Sequence, residues 1–246
     1  MNTTPNIGFN QRIRLEWLEY TAGLVLAGNK RPGIMAALQD LLKEQISVGG
    51  TAERGNREKA ITILLRVWVD GQRELAPLRE EGLNLLSKAN NEEKLALHWG
   101  MTMAAYPFFA RVSETTGRLL ALQSNIAPAQ IQGRIKEQYG ERQTVHRAAR
   151  RIIRSMVDWA VIEDTEAKGV YKRSPMRPLR NEIIVCWLLE ALLRAIGNEA
   201  VALSHLVNSP ALFPFGVIAT SSNLHKRKSI EIYRQGLDQE MVVLRS

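Results

Sequence analysis

From residue 12 onward the apolar residues recur every three or four positions, and no stretch before residue 160 alternates as a half-buried strand would. A 246-residue chain patterned this way must bury its apolar stripes against one another, which means stacked helices. Residues 12–27 place Ile13, Trp17, Tyr20, Leu24 and Ala27 at helical spacing, with Gly28 as the stop. Pro32 opens a second helix carrying Ile34, Leu38, Leu41, Leu42 and Ile46, closed by Gly49-Gly50. A third is expected over 53–70, with Ile61, Leu64, Leu65 and Trp68 inward, and a shorter fourth over 78–88. Asn91 is read as the cap of a fifth, with Glu92 and Glu93 at its positive end. Pro107 ends or kinks that helix, and a sixth follows over 108–123.

The last third changes character. Residues 174–178, with two prolines, read as a linker or exposed loop. Asn181 opens an apolar helix that Gly197 ends, and 200–207 reads as another helix. Strand-like patterns follow at 215–220, 230–234 and 241–244, with Gly236-Leu237-Asp238 as the turn between the last two. The expected fold is therefore mainly α with a small β component. A helical bundle covers 1–107, a central module 108–175, and an α+β part with a small antiparallel sheet 176–246.

Composition narrows the chemistry. A single Cys excludes an internal disulfide and a thiolate zinc cluster, and four scattered His argue against a His-rich metal site. Neither a glycine-rich phosphate loop nor a nucleophile elbow nor a zinc-helix signature is present. The carboxylates of Glu163-Asp164-Thr165-Glu166 read as a solvated turn, because a metal nuclease needs them converging from a rigid scaffold. The expectation is a non-enzymatic protein with no cofactor. Residues 1–9 are polar, without the apolar core of a signal peptide. The apolar run 95–110 is 16 residues long, short of the ~20 a bilayer span needs. No membrane association and a cytoplasmic setting are expected, consistent with the lone Cys186.

The chain carries 33 Lys and Arg against 25 Asp and Glu, a net +8, and that excess is localised. Residues 130–180 hold twelve basic and six acidic residues, a net +6. Pro128 suits the first turn of a helix to about Gln138, Tyr139-Gly140 is a tight break, and a second helix is expected over 141–159. On that second helix Gln143, Arg147, Arg150 and Arg154 share a ~60° sector, while Val145, Ala149, Ile152 and Met156 lie opposite. Arg142, Thr144, His146 and Arg151 flank the stripe. Solvated helix faces usually mix signs. Here five arginines between 142 and 154 have no carboxylate within the span, Glu141 and Asp158 lying just outside it. Arginine's planar fork grips a phosphate or the O6/N7 edge of guanine, and Gln143 suits adenine.

After this helix come Val161-Ile162, the acidic turn, Gly169 and Val170-Tyr171-Lys172-Arg173, which read as a hairpin. Helix, short turn, helix and glycine-tipped hairpin resemble the winged helix-turn-helix class of DNA-binding modules. That resemblance covers about a fifth of the chain and implies a duplex DNA partner. Arg142, Gln143, Thr144, His146, Arg147, Arg150, Arg151 and Arg154 would then contact DNA, and Lys168, Lys172 and Arg173 would serve the wing. A helical bundle followed by a winged region is also similar in layout to the BrxA family of bacterial phage-defence (BREX) systems. This likeness is one of layout, and it implies a DNA-binding accessory component; no residue role carries over from it.

Lys226, Arg227 and Lys228 lie between two expected strands and offer a second phosphate contact or a solvated turn. The order helix, helix, strands after 181 is loosely like a second winged module. Arg54, Arg57, Lys59 and Arg66 extend a basic surface unless Glu53 and Glu58 satisfy them. Trp99, Tyr106, Phe108 and Phe109 read as core, since a base-stacking platform needs basic residues between its aromatics. Two other functions fit the same charge pattern: a structural or adaptor subunit whose arginines meet an acidic partner, and an RNA-binding helical protein. A homodimer is compatible with a winged module, though no heptad seam marks an interface.

Overall fold

The computed structural model describes residues 7–46, 55–197, 199–236 and 239–245. The architecture is mainly α with small sheets. The first helices are α1 (Leu15–Leu26), α2 (Arg31–Lys43) and α3 (Asn56–Trp68), followed by a 3₁₀ turn (Arg73–Leu75) and α4 (Ala76–Leu86). Next come α5 (Asn91–Ala105) and α6 (Pro107–Leu122). The expected end of the second helix at Gly49-Gly50, the start of the third at Glu53, and Arg54 fall outside the described residues. Asn90, one residue before the expected cap, accepts from the Glu92 and Glu93 amides while Glu93 bonds back to the Asn90 N–H. This reciprocal pair is a capping box. Pro107 separates α5 from α6 rather than kinking one long helix: it lacks the N–H that a continuing helix needs and sits in the first turn of the next.

The central region departs from the sequence reading in one strand. Between α6 and α7 (Pro128–Tyr139) lies β1 (Asn125–Ile126), where no strand was expected. Then come α8 (Gln143–Asp158), β2 (Ile162–Asp164) and β3 (Tyr171–Arg173). The three strands form an antiparallel sheet in the order β1-β3-β2, with Ile126 opposite Tyr171 and Asp164 opposite Tyr171 from the other side. Two residues cannot show an alternation. Strand β1 exists because β3, more than forty residues on, supplies its hydrogen-bond partner.

The C-terminal region contains β4 (Arg177–Pro178), α9 (Glu182–Ile196), β5 (Val201–Ala202) and α10 (Leu203–Val207). A 3₁₀ turn (Pro210–Leu212), β6 (Phe215–Gly216), α11 (Ser221–Leu224), β7 (Ile230–Gln235) and β8 (Gln239–Leu244) complete it. The expected strand over 215–220 is cut to two residues, because Thr220 turns the chain into α11 by capping it. The expected loop 174–178 is in part a strand, since β4 pairs in parallel with β6. Helix 200–207 begins only at Leu203, Val201 and Ala202 being drawn into the sheet β5-β8-β7. That sheet order parallels β1-β3-β2: helix, short strand, helix, helix and hairpin occur again, here with the 3₁₀ turn and β6 inserted between the second and third helices.

All three segments close on one hydrophobic core. At their junction the Trp99 ring makes edge contacts with Phe109 (5.0 Å), Trp159 (5.9 Å), Phe213 (5.7 Å) and Phe215 (6.1 Å). Its indole N–H donates to the Ala211 carbonyl at 3.1 Å. Trp99, Tyr106, Phe108 and Phe109 are thus core residues, as is the buried Cys186.

Candidate nucleic-acid interface

Helix α8 has the two faces its sequence prescribes. Val145, Ala148, Ala149, Ile152, Ile153 and Met156 are buried. Arg142, Gln143, Thr144, Arg147, Arg150 and Arg151 are exposed, with His146 and Arg154 partly so. The sharp division follows from the 3.6-residue period acting on a segment whose polar side is almost wholly cationic.

The N-terminal segment straps across the C-terminal half of α8. The Ile13 N–H donates to Ser155 Oγ at 2.8 Å, and the Trp159 indole N–H donates to the Ile13 carbonyl at 2.9 Å. Arg12 engages both carboxylate oxygens of Asp158. At the other end, Glu141 pairs with Lys136 at 2.5 Å, and that bond holds its carboxyl below the usual range. Both carboxylates that flank the arginine stripe are therefore taken by partners outside it. Among the described residues, no carboxylate lies within 4.0 Å of Arg142, Arg147, Arg150, Arg151, Arg154 or Lys168.

All of these cations except Arg142 line a groove of about 1550 Å³. Helix α8 contributes Thr144, Arg147, Arg150, Arg151 and Arg154, and the β2–β3 hairpin adds Asp164, Lys168 and Gly169. The rest of the lining comes from the N-terminal segment, the start of α3 and the first turns of α7. Arg154 donates to the Tyr171 hydroxyl at 3.3 Å, which ties the stripe to the hairpin. Gly169 at the hairpin turn has φ +76°, the left-handed region that favours glycine.

Other expected site residues are placed differently. Lys172 is exposed but pairs with Glu163 across the sheet at 3.5 Å. Arg173 donates to the Phe213 carbonyl, tying the central sheet to the C-terminal region. The basic trio is broken up: Arg227 is held by Glu190 and Glu81 and its side chain is only 11% exposed. It is a structural residue and not a phosphate contact, because its guanidinium is already neutralised and desolvated. Lys226 and Lys228 stay exposed, but they follow α11 rather than a strand. On α3, Arg57 donates to the carbonyls of Lys43 (3.0 Å) and Ile46 (3.4 Å), and Arg66 lies 4.9 Å over the Tyr106 ring. Lys59 alone of these α3 cations lines the groove. Sequence spacing could not reveal the contribution of the N-terminal segment, since nothing local links residues 7–12 to α8.

Among the described residues, no group of three or more His, Cys, Asp or Glu is arranged to hold a metal ion. Nor is any helix of these residues long and apolar enough to cross a membrane. No family model matches the chain, and no curated protein or solved structure matches it either.

Proposed function

We propose that the chain is a non-enzymatic, double-stranded DNA-binding protein. In this reading residues 107–173 form a winged helix-turn-helix with α8 as its reading helix and the β2–β3 hairpin as its wing. The order α6, β1, α7, α8, β2, β3, with β1 added to the hairpin, is the arrangement expected of that class. The observation that carries the reading is the uncompensated charge. Arg147, Arg150, Arg151 and Arg154 of one helix and Lys168 of the hairpin line one groove, and Asp164, which also lines it, is not within 4.0 Å of any of these cations. Like charges on one helix face repel one another, and a polyanion bound among them relieves that repulsion.

Arg147, Arg150, Arg151, Arg154 and Lys168 serve the phosphates, and Arg142, Gln143, Thr144 and His146, at the free N-terminal end of α8, meet base edges. Lys172 and Arg173 play smaller parts, given their partners. The C-terminal unit follows a similar element order, but α11 has a single turn, too short to read a groove. A role as an accessory component of a bacterial phage-defence system agrees with the layout and with a DNA partner.

A shift assay on mixed-sequence duplex DNA across a salt series tests the reading. Binding should be tightest near ~50 mM salt and weaken steeply above it, and Arg147→Glu with Arg150→Glu should abolish it. No binding at low salt sinks the proposal. Tighter binding to duplex RNA than to DNA also argues against it, because the A-form major groove does not admit a helix.

A further inference from the structure

The groove has a second wall that the arginine stripe does not account for. It is made by the first turn of α3, where Asn56 and Lys59 line the same space as Arg147, Arg150, Arg151 and Arg154. Asn56 is fixed in place, its Oδ1 accepting from Gln11 of the N-terminal segment at 3.2 Å. Lys59 has no carboxylate within 4.0 Å among the described residues, whereas Arg57 and Arg66 on the same helix are engaged by carbonyls and by the Tyr106 ring. A lone cation thus lines the same groove as a cationic stripe, although the other basic residues of its helix have local partners.

Size and lining say what the space takes. At about 1550 Å³ the groove exceeds the ~300–1,000 Å³ of ordinary small-molecule sites. Its one aromatic lining residue, Tyr171, is buried and its hydroxyl is used by Arg154, so no ring is free to stack an unpaired base. A cationic channel without stacking platforms suits a sugar–phosphate backbone whose bases are paired elsewhere.

We propose that one sugar–phosphate strand of the DNA duplex runs through the groove between α8 and α3, with Lys59 and Asn56 contacting phosphates alongside the arginine stripe. This rests on the DNA-binding reading and extends the site into the N-terminal helical bundle. The bundle is then half of the binding cleft, and contacts within the cleft are tolerant of sequence because they touch only backbone.

Fluorescence anisotropy with a ~20-base-pair mixed-sequence duplex, over salt from ~50 to ~300 mM, tests it on the full chain. Lys59→Gln should weaken binding about fivefold at the lowest salt and reduce the magnitude of the log–log salt slope by about 0.9, one phosphate's share. Lys59→Glu should weaken it further, and Lys59→Arg should retain both affinity and slope. A second, unrelated duplex sequence should give the same changes. Wild-type affinity and slope in Lys59→Gln and Lys59→Glu, with binding lost in Arg147→Glu/Arg150→Glu, overturns the α3 wall and leaves the DNA-binding reading standing. Wild-type binding in the Arg147→Glu/Arg150→Glu variant as well overturns both. A misfolded Lys59 variant is recognised by its thermal transition, and a partial loss of folded protein would weaken the apparent affinity by the same factor at every salt concentration without changing the slope.

Discussion

Arg12 and Asp158, 146 residues apart in the chain, form a two-point ion pair that straps the N-terminal segment across the end of α8. Asp158 is 15% exposed and Arg12 38%. The pair withdraws the nearest carboxylate from the arginine stripe while building a wall of the groove. Solvent screening at Arg12 limits its worth to about 1 kcal/mol. Arg12→Ala should therefore lower the thermal midpoint by about 2–4 °C, read by circular dichroism. The charge-swapped pair Arg12→Asp/Asp158→Arg should recover at least half of that loss. If the single variant melts like the wild type, the strap is not held by this pair.

Arg227 should behave as a buried structural cation. Its removal leaves Glu190, which is 3% exposed, with Arg194 as its remaining guanidinium partner, so Arg227→Ala should cost about 2–3 kcal/mol in denaturant unfolding. Lys226→Ala and Lys228→Ala should change stability by less than about 0.5 kcal/mol. Burial alone would push the Glu190 carboxyl up. Arg227, a hydrogen bond from Ser229 and Arg194 together outweigh it and leave the group below its ordinary 4.5. A carboxyl with a lowered folded-state pKa stabilises above its unfolded value and loses that contribution as pH falls through the folded one. The wild type should lose stability on acidification below about pH 4.5, and Glu190→Gln should lose less over the same interval. Equal acid sensitivity would show that Glu190 does not carry this term.

His98 should give a second acid-sensitive contribution at higher pH. It is fully buried, its Nδ1 accepts from the Trp68 indole N–H at 3.0 Å, and burial pushes its pKa down to about 3. Between that value and the ordinary 6.5 the unfolded chain binds a proton that the folded chain refuses. Stability should therefore fall by about 1.4 kcal/mol per pH unit on acidification below 6.5. His98→Gln keeps an acceptor for Trp68 and should flatten that slope between roughly pH 6 and 5. An unchanged slope in the variant would assign the acid sensitivity elsewhere.

Gly117 marks where α6 meets the Pro210–Leu212 turn. A Cβ there would strike the Pro210 carbonyl oxygen, which is backbone and cannot step aside, and would sit 3.0 Å from Phe213 Cβ. Gly117→Ala should destabilise by about 2–4 kcal/mol, although alanine is the better helix former. Gly133→Ala, on α7 with nothing within 4 Å of the added atom, should be neutral or stabilising. A Gly117→Ala protein as stable as the wild type would mean that α6 and the turn can separate without loss.

The sequence itself determined the helices from α1 to α9 and the two faces of α8. The 3.6-residue apolar period, Pro107 and Pro128 at helix starts, and Gly140 and Gly197 at helix ends are local signals acting within one or two turns, so they could be read without partners. The localisation of charge between 130 and 180 was equally legible. Tertiary structure alone decided what depends on residues far apart in the chain. Strand β1 needs β3, and the two-residue β4 and β6 exist only through each other. Arg227 left the candidate surface because Glu81 and Glu190 converge on it from α4 and α9. The groove came from the N-terminal segment, α3, α7 and the hairpin meeting beside the stripe, which made a charged helix face part of a cleft. Helical periodicity is set by bonds spanning four residues, whereas pairing and enclosure are set by contacts across the whole fold, and no local pattern encodes those.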